Sequence, residues 1–105
     1  MSYSSKQFVI DKLIELVDSS PTKKIYSRDV YNRYDISQQE LDIWVDYVNS
    51  VLDILSVYID PTELRLTKMS IYNLSTQNHE ICTMRALKIE KELLNLARRI
   101  LKHYS

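Results

Sequence analysis

Apolar side chains recur along this chain mostly at intervals of three and four residues, the spacing that puts them on one face of a helix. Over residues 6–18, Val9, Leu13, Leu16 and Val17 keep that spacing. Ser4 or Ser5 stands where an N-cap is needed. Ser19-Ser20-Pro21 closes the segment, because the residue before proline is pushed out of the α region. Lys23–Tyr26 reads as a short connector. Ser27 then starts a short second helix with Asp29 in its first turn, where the helix dipole favours a carboxylate, and with Val30, Tyr31 and Tyr34 as its apolar positions. Ser37-Gln38-Gln39-Glu40 has the form of a capping box, and the helix it opens carries Leu41, Trp44, Val45, Val48 and Leu52 on one face.

Residues 54–74 support two readings. ILSVYI and ELRLTKMSIYNL are rich in β-branched and aromatic residues, and Asp60-Pro61-Thr62 between them makes a β-hairpin over 54–72. Asp60-Pro61-Thr62-Glu63 is equally a helix start, with Leu64, Thr67, Ile71 and Leu74 as the stripe that follows. From Gln77 to the end the pattern is helical again. Ile81, Leu87, Ile89, Leu93, Leu94, Leu96, Ala97, Ile100, Leu101 and Tyr104 cover a face wider than one stripe, which suits packing on two neighbours or on one neighbour and a second subunit, and Leu87, Leu94 and Leu101 fall at heptad spacing. The expected architecture is one mainly α domain over 1–105 with a long C-terminal helix at 77–104.

Composition removes whole classes of function. None of the 105 residues is glycine, so phosphate-cradling loops and nucleophile elbows, which need backbone without a Cβ, are missing. Fourteen basic and fourteen acidic residues cancel over the chain. They are segregated, however: residues 41–60 hold four aspartates and no base, and residues 81–105 hold six bases against Glu90 and Glu92. Such halves attract each other within a fold or between two subunits. Eight tyrosines against one phenylalanine supply apolar bodies with polar tips, which suit interfaces and partly wet cores.

Residues 27–48, SRDVYNRYDISQQELDIWVDYV, resemble a helix-turn-helix DNA-binding unit, with Val30, Tyr34, Ile36, Leu41 and Trp44 at the apolar offsets of that family and Asp35 at its turn. With a hairpin at 54–72 the order of elements is similar to a winged helix. The resemblance implies a small dimeric transcriptional regulator of double-stranded DNA. Ser37, Gln38 and Gln39 would then start the recognition helix and meet bases, and Arg28, Arg33, Lys23 and Lys24 would lie near phosphates. Leu87, Leu94, Leu101 and Tyr104 would join two copies. Against it, Glu40, Asp42 and Asp46 sit on the same recognition helix, where carboxylates oppose a polyanion. The alternative is an all-helical protein-interaction module, an adaptor or inhibitor, that uses the tyrosines and the broad C-terminal helix. A viral or mobile-element origin suits either.

Dedicated chemistry is sparse. His79 and Cys82 lie three residues apart, and a zinc site needs two further ligands where the only other histidine is His103. Cys82 with His79 as base lacks an orienting carboxylate of clear identity. No enzyme, metal or cofactor is therefore expected. A lone cysteine, no apolar leader and no span of about 20 apolar residues favour a reducing, cytoplasmic compartment and no membrane partner.

Overall fold

The computed structural model describes residues 3–23, 35–77 and 79–104. They form four helices, α1 (Tyr3–Asp18), α2 (Gln38–Leu55), α3 (Pro61–Thr76) and α4 (Cys82–Tyr104), and no strand occurs among the described residues. The expected mainly α fold is what the chain adopts. α1 starts at Tyr3, ahead of the two serines expected to cap it. It ends where Ser19 donates its amide to Glu15 O and its hydroxyl to Leu16 O, just before Pro21.

α2 begins as its sequence dictates. The Ser37 hydroxyl accepts the Glu40 amide at 3.1 Å, and the Glu40 carboxylate accepts the Ser37 amide at 3.3 Å. This reciprocal box satisfies two of the donors that every helix start leaves unpaired. Leu41, Trp44, Val45, Val48, Leu52 and Leu55 then face inward.

The hairpin wing over 54–72 does not form. α2 runs on to Leu55, a short turn follows, and α3 starts at Pro61. Local chemistry at 60–63 decides this. The Asp60 carboxylate accepts the amides of Thr62 and Glu63 at 2.9 and 3.2 Å, and proline at the first helical position forfeits no bond. Leu64, Thr67 and Ile71 are then buried at helical spacing, which a period of two would have split between two faces. α2 and α3 lie side by side and antiparallel, with Lys68 paired to Asp53 near the turn and the Gln38 amide reaching Ser75 O at the far end.

α4 packs chiefly against α1 and α3, while α2 meets it mainly at its start. There, the Asp35 carboxylate accepts the Thr83 amide at 3.2 Å and the Thr83 hydroxyl, and the Ile36 amide donates to that hydroxyl at 3.2 Å. A carboxylate at a helix N-terminus is favoured by the dipole. No described residue has a positive φ, so Asp35 does not take the left-handed turn conformation that its place in a helix-turn-helix suggests. The first helix of that unit, with Val30, Tyr31 and Tyr34, lies outside the described residues.

The buried apolar residues form one continuous cluster drawn from all four helices. Leu13, Leu16, Leu41, Leu52, Ile71, Ile89, Leu93 and Leu96 are fully buried. Each such side chain contributes about 1.5–3 kcal/mol relative to an exposed one. Ile89→Ala is expected to lower stability by about 2–5 kcal/mol in urea unfolding followed by circular dichroism. Leu101→Ala, at a position 52% exposed, should stay within about 0.5 kcal/mol of the parent.

Candidate functional site

Two buried charges on α4 organise the polar parts of the molecule. Arg85 is 2% exposed, and no carboxylate pairs with it among the described residues. Its guanidinium instead donates to Glu80 O at 3.1 Å, to Ser75 O at 2.7 Å and, more weakly, to Leu74 O at 3.5 Å. The last two are carbonyls of the final turn of α3, which have no partner within their helix and carry the negative end of its dipole. Arg85 also donates to the Gln38 side-chain oxygen and to Cys82 Sγ. One cation thus holds the end of α3, the start of α4 and the start of α2 together.

The second charge, Glu90, is 6% exposed. It accepts hydrogen bonds from the Ser20 and Thr22 hydroxyls at 2.9 and 2.6 Å and from Lys23 Nζ at 3.1 Å. The stretch after α1 is thereby fastened to α4. Trp44 adds a third tie, its indole N–H donating to Leu16 O at 3.1 Å and to the Ser19 hydroxyl at 3.2 Å.

These bonds fix the fate of the residues expected to meet DNA. Ser37 is engaged in the capping box. Gln38 is engaged by Arg85, and its amide donates to Asp42 Oδ1 at 2.7 Å. Lys23 is engaged by Glu90. Gln39 is exposed and has no partner among the described residues. Lys24, Arg28 and Arg33 lie outside the described residues. The leucines expected to join two copies do not make one exposed seam: Leu94 packs half-buried against the core, Leu87 is half-buried and only Leu101 is open. The side chain of Tyr104 lies outside the described residues. His79 is exposed and Cys82 is half-buried against Arg85, and no group of three or more metal-ligating side chains gathers among the described residues.

The surface that stands out was not foreseen as one. α1 and α2 run antiparallel and leave a valley between them. At one end Ser20, Pro21, Ile43, Trp44 and Tyr47 line a hollow of 320 Å³. At the other, Phe8, Leu16, Tyr47, Val51 and Ile54 line one of 110 Å³, and Tyr47 belongs to both. Ile43, Tyr47 and Ile54 are 63%, 51% and 67% exposed. The Phe8 ring meets Tyr58 edge-on with centroids 5.8 Å apart, and Lys12 Nζ lies 5.7 Å above it. The charged side chains along the valley are Lys12, Glu15 and Glu40. A wider trough of 690 Å³ lies along α3, lined by Pro61, Leu64, Arg65, Met69 and Tyr72 with Ser56 at its end; it is walled by one helix rather than two.

Comparison with protein-family models, with curated proteins and with solved structures returns no match. No described helix is long and apolar enough to cross a membrane.

The Arg85 clasp gives a direct test of what Gln38 does. Gln38→Ala should lower unfolding stability by about 1–2 kcal/mol, since it removes a hydrogen bond to a buried cation. Arg85→Ala should cost about 3 kcal/mol or more. Gln39→Ala should fall within about 0.5 kcal/mol of the parent in the same urea titration.

Proposed function

We propose that this chain is a non-enzymatic, helical protein-interaction module whose α1–α2 valley receives an amphipathic helix. The observation that carries this reading is the row Ile43–Tyr47–Ile54, three large apolar side chains left open at helical spacing along the floor and lip of a two-walled groove. Apolar side chains gathered in one such patch mark interaction surfaces, and an amphipathic helix reads such a groove through anchors at i, i+3 or i+4 and i+7. Tyrosine is well suited to the centre of such a site, since it contributes area with few rotatable bonds.

Charge favours a protein over a nucleic acid here. α2 carries Glu40, Asp42, Asp46 and Asp53 and no base, and its outward side would bring carboxylates to phosphates. Glu15 and Glu40, which line the two hollows, suit a helix whose polar edge bears lysine or arginine. Gln38, the residue best placed by the helix-turn-helix resemblance to meet a base, already has its amide oxygen on Arg85 and its amide nitrogen on Asp42.

A fluorescently labelled amphipathic peptide of leucine and lysine separates the readings. It is expected to bind the full chain saturably. Ile43→Asp with Tyr47→Asp, both at exposed positions, should weaken it by at least about 30-fold while the helical circular dichroism is retained. In parallel, a random double-stranded DNA pool at 50 mM salt is expected to leave the elution of the protein unchanged. A shift onto DNA that fades steeply by 200 mM salt, with no peptide binding, would return the chain to the DNA-binding class.

A further inference from the structure

We infer that the face formed by α2 and α3 docks a second copy of this chain, the two faces meeting antiparallel about a two-fold axis. This surface lies on the other flank of α2 from the valley.

The charges on the face are sorted by position. On α2, Asp42, Asp46 and Asp53 follow one another at i, i+4 and i+11. Their row looks toward α3, because Asp53 pairs with Lys68 and Asp42 shares the Gln38 amide with Ser75 O. Asp42 and Asp46 lie between those two links and nearer the Gln38 end, so they flank the second half of α3. A base stands at the other end. Arg65 lines the trough with Pro61 and Ser56, about 15 Å along the helix from Ser75. Met69 and Tyr72, 55% and 67% exposed, fill the middle with open apolar surface.

The charges at the two ends are unanswered within one copy. Neither Arg65 nor Asp46 has a side-chain partner among the described residues, and Asp42 accepts only the Gln38 amide. No described acid lines the trough. Laying the face parallel on its own copy sets base on base and acid on acid. The antiparallel arrangement sets each against its opposite. With the axis beside Met69, Arg65 comes level with Asn73 of the other copy, since both stand four residues from Met69, and it arrives beside Asp46 and Asp42. The two-fold makes this contact twice, with Met69 and Tyr72 of both copies between, and methionine adapts its shape to such a seam. A face two helices wide falls in the class of interfaces below about 1,200 Å² in total, whose association is weak and reversible.

Sedimentation equilibrium of the full chain, from about 5 to 500 µM, covers the range in which such an interface forms. The parent is expected to rise from 12.5 kDa toward twice that mass, and to rise less as salt increases. Arg65→Glu alone and Asp46→Lys alone, both at exposed positions, should each associate at least about tenfold more weakly. Mixing the two variants should restore the dimer, and so should both changes in one chain, because every acid then faces a base again. Circular dichroism checks that each form keeps its helices.

A parent that stays monomeric to the top of the range overturns the inference. Single variants that associate like the parent do the same, as does a mixture that recovers nothing. Loss of association on Tyr47→Asp with Arg65→Glu unaffected would place the interface in the valley and also overturn it.

Discussion

A guanidinium buried without a carboxylate is a demanding thing to fold around, and Arg85 is that group. Its planar fork offers five N–H donors, and any left unpaired in the interior costs about 1–3 kcal/mol or more. The chain meets the demand with carbonyls that have a need of their own. Leu74 O and Ser75 O belong to the last turn of α3, where no amide of that helix is left to reach them. Glu80 O comes from the connection to α4, and the Gln38 oxygen comes from the first turn of α2. Deficits of opposite sign at three element ends therefore cancel at one point. The short connection from Thr76 to Cys82 makes this possible, because a tight return brings Arg85 back under the end of α3. Asp35 at the first turn of α4 reinforces the same corner from the other side.

What could be read in the sequence was what local chemistry alone determines. The capping box at Ser37 and the stripe from Leu41 to Leu52 agree with each other, so α2 was legible in start and face. α3 was half legible: its β-branched and aromatic content argued for strands while Asp60-Pro61-Glu63 argued for a helix, and the cap prevailed because Leu64, Thr67 and Ile71 reach the core only at helical spacing. In the sequence, Arg85 and Glu90 are only two of the charges counted over 81–105. A signal was there, since Arg85 lies four residues before Ile89 and Glu90 four after Ala86, both on the apolar side of α4. Periodicity reports position and not partner, however. No spacing reveals that the ligands of Arg85 are orphan carbonyls of another helix.

The valley was illegible for a related reason. Ile43, Tyr47 and Ile54 lie beside the inward stripe of α2, and in sequence they merely widen it. A wide stripe predicts burial against two neighbours. α1 covers one side of it, Trp44 is drawn in by the bonds to Leu16 and Ser19, and the connection after α1 is pulled toward α4 by Glu90. Ser20 and Pro21 of that segment close one end of the valley, and the outer edge of the stripe stays open among the described residues. The buried carboxylate on α4 thus helps to place the segment that closes one end of the valley.

Charge completes the same logic. Oppositely charged segments of one chain ordinarily find each other during folding, since each ion pair relieves two charged groups. Here α2 and α4 diverge from their shared corner at Arg85, and the helices placed between them take their own share: Lys68 answers Asp53, and Glu63 answers Arg99. Asp42 and Asp46 on one helix and Lys91 and Arg98 on the other enter no ion pair among the described residues and retain the spacing of helix faces. A field arranged in this way is neutral at a distance and selective at contact. It gives little long-range pull on polyanions or on acidic surfaces, and it rewards a partner whose helix carries the matching sign at the same pitch.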